Sequence, residues 1–417
     1  MIRILHTADW HLGQSFFGYD RTDEHEHFLV WLSELIVARN VDALIVAGDV
    51  FDVSNPSAAS LRMFYRFVRR VTAACPHLQM IVVAGNHDSA ARLEAPIPLL
   101  NELNTTVKGF VHKYDGQIDL DDLIVELKNR MGETEALCLA VPYLRQGDYP
   151  VIETGGNPYA EGVKELYRQL TAHALKRKAP GQAIIAVGHL QATGSEIAEK
   201  DYSERTVIGG LECVSPESFP QEIAYTALGH IHKAQRVSGR ENVRYAGSPI
   251  AMSFAEKHYH HGVVEVVLAD GTLQSLEILA YTPLISMLSV PADGVAGPDE
   301  VLALLEQLPL TADANSDEPA PYLEIKALLD EPEPMLNQQI KDALAGKHVR
   351  FTRTIPIYRS ADPAAPEAVM AAGLQEMTPL QIVKTTFEKT YRTDMPEELL
   401  RLFCEAEQSA GDGNPTA

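Results

Sequence analysis

The chain of 417 residues has four cysteines, Cys75, Cys138, Cys213 and Cys404, scattered and without a CxxC pair. That argues against a disulfide framework and a structural zinc, and fits a reducing cytosol. No apolar stretch approaches the roughly 20 residues that a membrane span needs. The opening MIRILHTADWHLG lacks the basic, apolar, small-residue succession of a signal peptide, so a cytoplasmic protein is expected. There is no GxxxxGK[ST], and no GxGxxG opening a helix; if the process uses ATP, another chain carries the ATPase. Basic charge is also short. Against 57 Asp and Glu stand 35 Lys and Arg, a formal net charge of −22. After position 280 there are 10 basic and 22 acidic residues, and before it 25 and 35. Nucleic-acid enzymes usually carry a basic surface, so a DNA enzyme of this charge would draw much of its backbone grip from a partner.

What is present is a pattern repeated five times. Ala43 to Ala47 is a short apolar run stopped by Gly48 and followed by Asp49 and Asp52, which reads as a buried strand ending at a site. Met80 to Ala84 runs into Gly85, Asn86, His87 and Asp88. Ala183 to Val187 runs into Gly188 and His189. Ala224 to Leu228 runs into Gly229, His230, Ile231 and His232. Ile2 to Leu5 leads to Asp9, Trp10 and His11. Taken singly, each His or Asp is an ordinary polar residue at a strand end. Five such ends together point to a site. The donors are oxygens and imidazole nitrogens, with no cysteine, which suits Mn²⁺ or Fe²⁺ before Mg²⁺, with Zn²⁺ admissible. Asp9 and His11 are two apart and face one way in an extended segment, and His230 and His232 repeat the spacing. Seven donors exceed one tetrahedral metal. They suffice for two if Asp49 bridges, and metals about 3.5–4 Å apart can activate water and clamp a phosphate.

The length predicts two or three domains. Residues 1–280 carry all five motifs, with strands alternating with helices. Glu24 to Arg39 has helical spacing. Residues 54–71 read as a turn and a helix, with Leu61, Phe64, Tyr65, Val68 and Val71 on one stripe and Arg62, Arg66, Arg69 and Arg70 on another. The first stripe fits core packing or a homodimer seam; the second reads as a solvated face. Residues 91–104 read as a broken helix, and 112–135 as irregular or hairpin-like around a helical DLDDLIVELKNRM. Glu161 to Lys178 is helical. His258, His260 and His261 are expected on a polar loop. Residues 281–358 alternate strand, helix, strand, helix, strand, a small α/β domain. Residues 359–378 read as a linker, 379–408 as two short amphipathic helices made to dock on a partner, and 409–417 as a disordered tail.

The set DWH (9–11), GDVFD (48–52), GNHD (85–88), GH (188–189) and GHIH (229–232) resembles the calcineurin-like metallophosphoesterase superfamily. Together with HTADWHLGQ, VVAGNHDS, ALGHIHKAQ and VRYAGSP, it resembles the bacterial SbcD family of nuclease subunits over essentially the whole chain. The resemblance implies an α+β fold: a β-sandwich flanked by helices, a small α/β capping domain at 281–358 near the DNA, and C-terminal helices. It implies one metal on Asp9, His11, Asp49 and His232 and a second on Asp49, Asn86, His189 and His230. His87 would stabilise the transition state or protonate the leaving oxygen. Asp52 stands where some relatives have a histidine that orients the phosphodiester, and could instead orient a ligand histidine. The implied activity is Mn²⁺-dependent DNA cleavage, exonucleolytic on double strands and endonucleolytic on single strands and hairpins. The implied partner is an SbcC-type ABC ATPase, bound by residues 379–408, around a homodimer of this chain. Two other readings fit the same residues: a small-molecule or cyclic-nucleotide phosphodiesterase, and a non-catalytic DNA scaffold for the ATPase.

Overall fold

The computed structural model describes residues 1–153, 156–196, 213–312 and 318–359, with Lys384, Phe387, Pro396 and Leu399. The expected linker, partner-binding helices and tail lie almost wholly outside the described residues.

Two six-stranded sheets pack face to face. The first runs Thr272–Ala280, Gly262–Ala269, Ile2–Thr7, Ala43–Ala47, Gln79–Val83, Thr105–Lys108. The second runs Gln235–Val237, Arg240–Tyr245, Tyr225–Gly229, Ala183–His189, Thr134–Ala140, Ile124–Lys128. The central strands of both are parallel neighbours, and they are buried on both faces. Ala43–Ala47 is buried at every position, which is why it reads as an unbroken apolar run rather than an alternating one. One face of each sheet meets the other across Ile4, Ile45, Ile81, Ile185, Val187 and Tyr225.

The outer faces take helices. Thr22–Arg39 and Ala58–Ala74 cover the first sheet, and Pro158–Arg177 the second. Ala58–Ala74 starts where the Ser57 side chain accepts from Ser60 N, satisfying one of the helix's otherwise unpaired donors. Its Phe64, Val68 and Val71 are buried, Leu61 and Tyr65 pack against the same core, and the four arginines are exposed. The stripe therefore turns inward.

One expectation fails. DLDDLIVELKNRM is not helical: Ile124–Lys128 is an edge strand, antiparallel to Thr134–Ala140. Val125 and Leu127 join the core between the sheets, while Ile124 joins the core beneath Pro158–Arg177. With apolar residues on both faces, the strand mimics helical spacing, and sheet pairing overrides local propensity. His258, His260 and His261 lie on the expected loop, the first two exposed and the third turned inward. His261 is buried, with Nδ1 at 2.8 Å from Ser248 O.

A third sheet follows, Met287–Val290 beside Tyr322–Leu329 beside Arg350–Tyr358, the first pair parallel. Helices Pro298–Glu306 and Leu336–Ala343 share a core with it through Val301, Leu305, Ile325 and Ile340. A buried clasp ties it to the sandwich. Arg21 donates to both oxygens of Glu24, and Tyr322 donates to Glu24 Oε2 at 2.9 Å.

Candidate metal centre

Parallel strands deliver their following loops to one edge, where α/β folds place ligands. Here both sheets do so at once: the loops after Ile2–Thr7 and Ala43–Ala47 pair with each other, and a histidine reaches across from the second sheet. Asp9 N donates to Gly48 O, His11 N to Asp49 O, and His189 Nδ1 to Ala47 O at 2.9 Å. The approach is too close for side chains. A Cβ on Gly85 would lie 2.1 Å from Asp49 Oδ1, and one on Gly229 would lie 1.9 Å from Ala47 O. Asp9, His11, Asp49 and His230 all have φ between 46° and 100°. Such left-handed backbone costs about 1–3 kcal/mol per residue and persists where the surroundings over-determine it.

The seven expected ligand residues converge. Asp9, His11 and His232 present donor atoms within 4.8 Å of one another, and so do Asp9, Asp49 and His189. His189 Nε2 lies 3.3 Å from Asp49 Oδ2 and 2.9 Å from Asn86 Oδ1, and His230 Nδ1 lies 3.1 Å from the same Asn86 oxygen. His11 Nε2 is 3.7 Å from Asp49 Oδ2. Asp9, His11, Asp49, His189 and His232 are each at most 3% exposed.

His87 and Asp52 sit at the rim. His87 Nδ1 donates to Asp52 O at 2.8 Å, and Asp52 Oδ1 is 3.4 Å from His11 Nδ1.

The electrostatics are those of a site made for cations. Burial alone would push Asp49 up, but His189 and His11 outweigh it and hold the carboxyl far below the usual range. Burial works against a charged His189, but Asp49 and Asp9 raise it to about 9. Burial raises Asp9 and pushes His230 down to about 3. Asp9 Oδ2 and His11 Nε2 are buried without a hydrogen-bond partner. Orphaned polar atoms are costly, and a divalent cation would satisfy both. The donor set therefore fits metal.

Two supporting residues escape sequence reasoning. Asp88 accepts from Gly85 N, Val50 N and Phe51 N, tying two motif loops together. Burial, then the charge of Asp49, raise it to about 6. It lies inside GNHD, but nothing in the motif separates its role from that of its neighbours. Glu256 Oε1 takes His232 Nδ1 at 3.0 Å, and its other oxygen takes Met252 N. It lies 24 residues from His232, with no motif to mark it.

A two-sheet sandwich with oxygen and imidazole donors at its strand ends defines a metal-dependent phosphoesterase of the calcineurin-like type. Residues 2–234 match the family model of the calcineurin-like phosphoesterases. Residues 284–391 match the model described as the type 5 capsule protein repressor C-terminal domain. The SbcD component of the SbcCD nuclease of Rhodobacter capsulatus is 38% identical over 390 residues, covering 89% of this chain and 94% of that protein. The SbcD of Escherichia coli K12 is 37% identical over 79% of each chain, and that of Bacillus subtilis 32% over 68% of this chain and 71% of its own. This chain belongs to the SbcD family, the nuclease subunits of SbcCD. Among the described residues no helix is long and apolar enough to cross a membrane.

Proposed function

We propose that the chain cleaves DNA phosphodiesters with two divalent ions, Mn²⁺ preferred, as an exonuclease on double strands and an endonuclease on single strands and hairpins. It works in the cytoplasm in DNA end processing, as a homodimer joined to an SbcC-type ATPase through residues 379–408. Residues 281–358 cap the nuclease domain of residues 1–280. The observation that carries the reading is the pair of orphaned atoms, Asp9 Oδ2 and His11 Nε2, at the convergence of seven donors.

Asp9, His11, Asp49 and His232 would hold one ion, and Asp49, Asn86, His189 and His230 the other. Bound there, the ions would polarise the phosphoryl oxygens and lower the pKa of a water. The chain's own contribution is order. With Nδ1–H held by Ala47 O, His189 Nε2 faces Asp49 and Asn86 and is the nitrogen that would give up its proton to hold an ion. The bond from His87 Nδ1–H to Asp52 O leaves Nε2 to pass a proton to the leaving oxygen. Asp52 orients His11 from the rim.

Labelled linear duplex DNA, incubated in Mn²⁺ with the chain alone or with the ATPase and ATP, tests the reading. Bis-p-nitrophenyl phosphate is the control ester and Asp49→Ala the inactive variant. Duplex cleavage that requires the ATPase and ATP is expected. Ester hydrolysis with DNA intact under every condition would move the assignment to a small-molecule phosphodiesterase.

A further inference from the structure

A cleft of about 400 Å³ opens between the sandwich and the third sheet. One wall is the hairpin Ser15–Phe16 with Tyr19–Asp20, which starts four residues after His11. Another is Met252–Ala255, which ends next to Glu256, the carboxylate that holds His232. At no more than ~3.6 Å per residue, Ser15 cannot lie further than about 14 Å from His11 along the chain. Both walls are therefore short chain extensions of segments that carry or hold site histidines.

Its lining is aromatic and basic. Phe17 forms the hairpin tip with φ +51° and is 47% exposed. A bulky residue avoids that conformation, and two-residue hairpin turns favour Asn or Gly there. Phe254 lies beside it, ring centroids 6.2 Å apart. From the third sheet the Arg353 guanidinium sits 5.2 Å from the Phe17 ring and 5.8 Å from Phe254. Buried Glu324 takes Arg353 Nε and Nη2, and Lys326 Nζ lies 3.6 Å from the same carboxylate. Two cations thus face one anion. Residues 281–358 hold only five Lys and Arg against twelve Asp and Glu, and two of the five are at this cleft.

We propose that the cleft is a single-strand subsite, in which an unpaired nucleotide of the substrate lays its base on Phe17, which buried Phe254 backs, and its phosphate at Lys326 and Arg353. The proposal deepens the nuclease reading and rests on it. Stacking is tolerant of base identity because every base has a π-face, so the cleft orders a frayed or hairpin strand at the metals without reading sequence.

The test uses the full chain and a short phosphorothioate single strand carrying 2-aminopurine. Wild type should quench the fluorophore on binding. Phe17→Leu should lose the quenching and bind about tenfold more weakly, and Phe17→Tyr should restore both. Lys326→Gln should weaken binding while quenching persists. Melting temperatures check the fold of each variant; if Phe17→Leu melts early, Lys326→Gln on the other wall decides. Wild-type hydrolysis of bis-p-nitrophenyl phosphate reports on the metal centre separately. If that succeeds and the variants bind and quench as wild type does, the cleft proposal falls alone and the cleft belongs to another partner. If it fails, the metal-centre reading falls with it.

Discussion

His232 has two ring nitrogens, and Glu256 decides which of them faces the site. A carboxylate only accepts, so Nδ1 carries the proton and Nε2 the lone pair. Glu256→Gln keeps the volume but leaves His232 Nδ1 or Met252 N without its acceptor. Mn²⁺ affinity should fall about 10–100-fold, read by calorimetric titration; an unchanged affinity would make Glu256 a packing residue. His6 shows the same logic away from the site. Its Nε2–H donates to Leu228 O, its Nδ1 accepts from Tyr225 Oη, and burial pushes it down to about 3. The unfolded side chain titrates near 6.5, so below that value the unfolded state takes a proton that the folded state refuses. Stability is full above 6.5 and is lost as pH falls toward 3, by about 1.4 kcal/mol per pH unit. Urea unfolding between about pH 5 and 7 should show a shallower pH slope for His6→Gln than for wild type.

Strand ends explain why the site was readable at the level of elements. A glycine stop followed by Asp, Asn or His is a local pattern, and it recurs because a Cβ would collide there: at Gly48 and Gly229 with the facing sheet, at Gly85 with Asp49 and at Gly188 with Tyr167 Oη. Gly229→Ala makes the point measurable. Its new carbon would lie 1.9 Å from Ala47 O and 2.9 Å from Ala8 Cβ, so the sheets must part. A cost of about 3 kcal/mol is expected, seen as a lower denaturant midpoint; a midpoint within error of wild type would mean that the edge is pliable. The parts that were not legible share a cause. Ile124–Lys128 carries apolar residues on both faces, so its spacing says nothing of period. Asp88 and Glu256 act by hydrogen bonds to backbone and to a distant histidine, relations that exist only once loops far apart in sequence have met. The clasp of Arg21, Glu24 and Tyr322 joins positions about 300 residues apart, and no local pattern announces it.

At the scale of the whole molecule the charge of −22 is the fact that the site must work against. DNA affinity comes chiefly from phosphates neutralised by Lys and Arg, and its logarithm falls with the logarithm of salt by about 0.9 per phosphate on duplex and about 0.7 on single strands. The arginines exposed on Ala58–Ala74 lie on a helix covering the outer face of the first sheet, whereas Lys326 and Arg353 line the cleft with Phe17. If those two supply the local grip, the isolated chain neutralises only about two phosphates of a single strand, a slope of about −1.4. Anisotropy with a labelled single strand across a salt series should give that shallow slope for the chain alone. The complex with the ATPase should give a much steeper one. A slope of about −4 or beyond for the chain alone would require a longer basic track, and the exposed arginines of Ala58–Ala74 would be the first to substitute. The shallow slope would instead mean that this subunit contributes cleavage and local strand placement, while its partner contributes the hold on the duplex.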